Sequence, residues 1–209
     1  MEPHAAHNGT SGDDYTARLT SLSDKRWKTV LDVQRPYRWN LRRLVEGEVL
    51  DVGCGVGRNL LHLGGRGVGV DHNPTSVATC RDRGLEAYTA EDFHAGERAR
   101  PGAFGTLLLA HVVEHVPRET ARALLQEYLP YLRTGGVLVL VCPQEAGYRS
   151  DPTHVEFVDL PDLVDLAQEA GLRLERRLSF PFPRPVGRVF TYNESVVTAR
   201  NLGGTGPTT

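Results

Sequence analysis

The sequence predicts an α/β fold: one doubly wound, mostly parallel sheet with helices on both faces. Three observations carry that expectation. Apolar runs of strand length alternate with helix-period segments from Val49 to Val141. The first run, Val49-Leu-Asp-Val52, enters a turn with glycines at positions 53, 55 and 57. Acids mark the first two strands, Asp51 inside one and Asp71 at the end of the next. Strand and helix in alternation require crossover connections, which make neighbouring strands parallel and cover the sheet on both sides.

Met1 to Asp14 is rich in His, Gly, Asn and Ser and has no apolar period, so a disordered tail is expected over residues 1–14. The domain is expected over 15–202, opening with helical spacing over Ala17–Val33 and Tyr37–Val45 and a break at Pro36. Strands follow at Val49–Val52, Gly67–Asp71, Glu86–Ala90, Thr106–Ala110 and Val137–Val141, with helices at Arg58–Leu63, Ser76–Arg83 and Glu119–Leu132. Pro161–Ala170 is amphipathic and stops at Gly171, and Leu172–Phe180 reads as a strand. Pro181–Arg188 holds three prolines and must be a loop, and Val189–Arg200 fits the last strand. Two closing strands joined without a helix imply an antiparallel edge hairpin. A flexible C-terminal tail is expected over 203–209.

With 209 residues, 40% of them hydrophobic, the chain can bury one substantial core but has little room for a second domain. A formal net charge of −2 argues against a broad nucleic-acid footprint. Three cysteines without metal-site spacing point to a reducing, cytoplasmic compartment, and Cys54 reads as a small packed residue. No apolar run is long enough to span a bilayer, so no membrane partner is expected.

The glycine turn points to a nucleoside cofactor, because glycine leaves no Cβ between backbone and ligand. Asp71 lies twenty residues beyond Asp51, about where an acid meets ribose hydroxyls in such folds. A dinucleotide fits poorly: the spacing is Gly53-x-Gly55-x-Gly57, and Asp51 would oppose a pyrophosphate while favouring a cationic amine. S-adenosylmethionine has that amine and no phosphate.

Val49–Gly57 resembles the first motif of the class I S-adenosylmethionine-dependent methyltransferases. Asp71-His72 resembles their second motif, Glu91-Asp92-Phe93 the third, Phe104–His115 the fourth strand and its turn, and Leu132–Val141 the fifth strand. The resemblance covers Trp39 to Cys142. It implies a Rossmann-like, seven-stranded sheet and S-adenosylmethionine as cofactor. It also implies that Asp71 binds the ribose, that His72 packs on adenine, and that an acidic side chain with adjacent backbone in Glu91-Asp92-Phe93 reads the adenine edge. Asp51, Gly53, Gly55, Asn59 and His111 join this set. Tyr37 and Arg38 are expected at the methionine end, with Arg38 on the carboxylate.

In a doubly wound sheet, ligands lie beyond the carboxyl ends of the strands, where this chain places two polar turns. After the fourth strand come His111, Glu114 and His115; after the fifth, Gln144 through Glu156. The run Ser150–Phe157 resembles a segment lying over the acceptor pocket in compact bacterial methyltransferases. A hydroxyl acceptor gains from a general base or a Lewis acid. His154 is the first candidate base, with Asp151 as its orienting partner or an alternate base, and His115 follows. The alternative for Asp151 is a turn. Glu114, His115 and His154, with Glu156 nearby in sequence, form a candidate site for Mg²⁺ or Mn²⁺.

These residues together predict an O-methyltransferase for a small polar acceptor, a sugar or oligosaccharide. The chain also resembles compact actinobacterial sugar methyltransferases, including those that tailor methylated mannose polysaccharides. Alternatives are an N-methyltransferase of a small amine, a nucleotide-dependent oxidoreductase, and a non-catalytic cofactor-binding protein. Tyr192, Asn193 and Glu194 interrupt the expected last strand as pocket lining or interface. Phe180, Phe182 and Phe190 suggest a homodimer contact.

Overall fold

The computed structural model describes residues 34–203. The expected tail 1–14, the helix over Ala17–Val33 and the C-terminal tail beyond Gly203 lie outside them. The helices are α1 (Arg35–Leu44), α2 (Arg58–His62), α3 (Pro74–Asp82), α4 (Ala90–Ala95), α5 (Arg118–Tyr128), α6 (Glu145–Arg149) and α7 (Leu160–Glu169). The strands are β1 (Val49–Val52), β2 (Val68–Asp71), β3 (Ala87–Thr89), β4 (Phe104–Ala110), β5 (Leu132–Pro143), β6 (Arg173–Phe180) and β7 (Glu194–Arg200).

The seven strands form one sheet in the order β3-β2-β1-β4-β5-β7-β6. β1 to β5 pair in parallel, and β7 runs antiparallel to both β5 and β6. The register Asp71↔Thr89 and Cys142↔Ser195 brings the ends of β2, β3, β5 and the start of β7 to one edge of the sheet. That edge carries the functional residues.

Period-two alternation divides the core. Along β4, Leu107 and Leu109 face Phe93, Leu125, Tyr128 and Leu163 from α4, α5 and α7. Leu108 and Ala110 face Leu41 and Leu44 of α1 on the other side. The outer strand β6 exposes Arg173, Arg176 and Arg177, a charged edge that discourages pairing with another chain.

Local chemistry fixes the helix starts. Pro36 lies in the first turn of α1, where a missing N–H costs no hydrogen bond, so it marks the start of that helix. Asn73 and Thr89 cap α3 and α4 by accepting from the N–H groups of Thr75 and Asp92. Asp159 and Asp162 form a reciprocal capping box on α7.

Three expectations need correction. The helix expected to reach Leu132 ends at Tyr128, because Pro130 tightens the chain into a 3₁₀ turn over Leu129–Tyr131 and β5 begins at Leu132. The polar turn after β5 contains the short helix α6. The last strand starts at Glu194 and not at Val189. Asn193 is fully buried, donates to Gln144 Oε1 and Ser179 Oγ at 2.9 Å each, and accepts from Phe182 N at 2.9 Å. Those bonds pin the proline loop, which itself holds a 3₁₀ turn over Arg184–Arg188, to the strand ends.

Candidate functional site

The end formed by β1 and β2 is built from backbone and buried carboxylates. Gly53 has φ 73°, and a Cβ there would come within 2.5 Å of Val112 Cγ2. Gly57, at φ 80°, starts α2 in a left-handed conformation. Asp71 Oδ2 accepts from Gly55 N at 2.8 Å, and its Oδ1 accepts from Asn73 N at 2.9 Å. The acid therefore ties the glycine turn to the start of α3, and each oxygen keeps a lone pair for a further donor. His72 beside it is exposed, with Nδ1 3.6 Å from Asp71 Oδ1.

Asp51 is fully buried, and Asn59 Nδ2 donates to its Oδ1 at 3.3 Å while Oδ2 accepts no hydrogen bond among the described residues. Burial pushes its carboxyl up to about 7, with Asn59 offsetting part of that rise. Glu91 and Asp92 are exposed on α4. The Phe93 ring is fully buried against Phe104, Tyr128 and Tyr131, which leaves only its backbone for a ligand. Cys54 is buried in a small cluster with Leu60 and Val77, as a packed residue should be.

The end formed by β4 and β5 is built from side chains. His111 adopts φ 61°, a conformation that non-glycine residues rarely take. It stands between two carboxylates: Nε2 lies 3.0 Å from Glu194 Oε1, and Nδ1 lies 3.2 Å from Glu114 Oε1. Burial favours the neutral imidazole, but the two acids outweigh it and raise His111 to about 9. Burial likewise works against ionised Glu114, yet His111 prevails and holds that carboxyl below its usual range. Glu114 Oε1 is buried and faces His111 Nδ1, while its Oε2 accepts from Cys142 Sγ at 3.4 Å.

Glu114, His115 and His154 each offer a ligand atom within 4.8 Å of the others. His115 Nδ1 lies 3.2 Å from Thr153 O, and His154 Nδ1 lies 2.7 Å from Tyr148 O. A carbonyl only accepts, so each Nδ1 carries the proton and each Nε2 of the neutral ring presents a lone pair. Burial holds His115 below the ordinary histidine value.

Two expectations change here. The partner of His154 Nδ1 is the Tyr148 carbonyl and not Asp151, whose Oδ1 accepts from Thr153 N and Oγ1 at 3.0 and 2.8 Å and so builds a turn. Glu156 accepts from Arg118 N at the start of α5 and stands outside the three-residue cluster.

Beside this corner lies a cavity of about 320 Å³ between α1, α2 and the sheet. Tyr37, Asn59 and His111, named above with the cofactor, line it together with Arg58, and Arg38 does not. Glu194 and Phe190 also line it. The Phe180 ring packs edge-on against Tyr37 at 5.6 Å, which leaves Phe182 as the exposed ring of the three phenylalanines considered for a dimer contact.

Residues 30–176 match the family model described as a methyltransferase domain. The chain belongs to that family. The methyltransferase domain is 31% identical over 105 residues to the ubiquinone biosynthesis O-methyltransferase of Xanthomonas euvesicatoria pv. vesicatoria (strain 85-10). That match spans 46% of this chain and 43% of the relative.

Solved structures share its fold. One is a chain of the complex between the Haloferax volcanii Trm112 methyltransferase activator and a methyltransferase, with TM-score 0.68, 17% identity, and 94% and 98% of the two chains covered. Another is the magnesium protoporphyrin IX methyltransferase of Synechocystis PCC 6803 with bound S-adenosylmethionine, with TM-score 0.55, 15% identity, and 93% and 88% covered.

S-adenosylmethionine is the cofactor of this family, and the residues present fit it: Asp51 Oδ2 is a buried acceptor lacking a donor, and the turn has no Cβ at Gly53. The three-residue cluster also fits a divalent cation, since each histidine is oriented through Nδ1 by a backbone carbonyl, the usual outer support of a metal-bound imidazole. Glu194 was expected as pocket lining or interface and not as the partner of His111, and the role of Tyr148 O was not foreseen. Glu194 had a signal, as an acid where a strand was expected, whereas a backbone carbonyl has none.

Proposed function

We propose that this protein is an S-adenosylmethionine-dependent O-methyltransferase acting on a hydroxyl of a small polar acceptor, a sugar or oligosaccharide. The observation that carries this reading is the convergence of Glu114, His115 and His154 at the β4–β5 corner, with each Nδ1 held by a backbone carbonyl. The name of the curated relative supports oxygen as the methylated atom. The polar run around Asp151 and Thr153 suits a hydroxyl-rich ligand.

When bound, S-adenosylmethionine supplies the methyl group. Asp51 meets its ammonium group, Asp71 its ribose, and the backbone near Phe93 its adenine. The acceptor lies against the β4–β5 corner, where His154 Nε2 would take the proton released from its hydroxyl. Holding the acceptor in line supplies much of the acceleration.

A second reading rests on the same cluster. Glu114, His115 and His154 would hold Mg²⁺ or Mn²⁺, which supplies a Lewis acid for the hydroxyl. Among the described residues no helix is long and apolar enough to cross a membrane. Three free cysteines support a cytoplasmic setting, and the exposed Phe182 supports a homodimer.

Melting curves test the cofactor assignment. S-adenosylhomocysteine should raise the melting temperature and NAD should not, and Asp71→Ala should shrink the S-adenosylhomocysteine shift. Stabilisation by NAD alone would reject the reading.

A further inference from the structure

We propose that the cavity beside α1 receives an apolar arm of the acceptor, so that the substrate is amphipathic: a hydroxyl-bearing head at the β4–β5 corner and an alkyl chain between α1 and the sheet. This rests on the methyl-transfer reading and deepens it.

The first support is the wall. Leu41 and Leu44 of α1 face Ala110, Val141 and Pro143 of the sheet, with Phe190 from the proline loop. The second is that four polar side chains of the lining, Tyr37, Asn59, His111 and Glu194, already have partners in the protein. His111 is paired with Glu194 at 3.0 Å, Tyr37 Oη donates to Tyr192 O at 2.8 Å, and Asn59 donates to Asp51. What the cavity offers a ligand is therefore mostly apolar surface, the usual character of a small-molecule pocket.

Size and position agree. A cavity of 150 Å³ holds benzene, so about 320 Å³ accommodates an arm of roughly ten carbons. His111 lines the cavity and also contacts Glu114 of the reactive corner, so the two lie side by side.

Calorimetry with methyl, butyl, hexyl and octyl β-D-glucopyranosides, below their micelle concentrations and with S-adenosylhomocysteine bound, tests this. The dissociation constant should fall about fourfold per added methylene. Leu41→Trp should flatten that dependence, as should the smaller Ala110→Val, which fills the cavity from the sheet side and serves if the tryptophan variant does not fold.

A dissociation constant independent of chain length, no binding of any glucoside, or an unchanged slope in a folded variant would overturn the inference. The parallel titration with S-adenosylhomocysteine separates the two claims. Failure of that titration removes the methyltransferase reading and this inference with it, whereas tight binding with a flat slope removes only the apolar arm.

Discussion

The two ends of the site are made by different means. At β1 and β2, the work is done by glycines at fixed local spacing, backbone N–H groups and two buried carboxylates. At β4 and β5, histidines and glutamates arrive from segments far apart in sequence, His111 and Glu194 being separated by 83 residues. The first end suits a ligand common to a whole family, because backbone geometry changes little with side-chain replacement. The second suits selectivity, because each group sits on a loop that can change independently of the sheet.

If that division holds, substitutions at the two ends should separate catalysis from binding. The largest effect is expected at His154. Its replacement by alanine should cut turnover by about 10²-fold or more while leaving S-adenosylhomocysteine affinity unchanged. Turnover near that of the native protein would remove His154 from the chemistry, and an equal loss of cofactor affinity would erase the distinction between the ends.

A smaller effect is expected at Asp51, whose carboxyl burial raises to about 7. Its folded value lies above the unfolded one, near 4, so the folded chain holds the proton more tightly. The contribution is full below about pH 4 and is lost as pH rises towards and through about 7. Melting temperature followed against pH should show Asp51→Asn relieving this decline, by a few degrees at neutral pH, at the expense of weaker S-adenosylhomocysteine binding. Parallel pH curves for the two proteins would show that Asp51 is not the group responsible.

The same division explains what the sequence made legible. The sheet and glycine turn were readable because strand period, helix period and the spacing of Gly53, Gly55 and Gly57 are local signals. The cluster of Glu114, His115 and His154 was readable as residue types but not as geometry, since bringing them together depends on β4, β5 and the 150–157 segment meeting at one edge. Asp151 was the reasonable orienting partner from its position, yet Thr153 satisfies it locally and a carbonyl does the orienting. Val189–Asn193 was misread as strand because its apolar residues carry a suitable alternation. The buried Asn193 amide, which ends that segment, acts only through tertiary partners.

The most direct test of the central claim is transfer of labelled methyl from S-adenosylmethionine to a panel of sugars, phenols and amines, each assayed with Mg²⁺ and with a chelator. Label is expected on a hydroxyl oxygen of a sugar-like acceptor, and loss of transfer on chelation would mark Glu114, His115 and His154 as the metal site. Label confined to amines, or tight cofactor binding with no transfer to any acceptor, would contradict it.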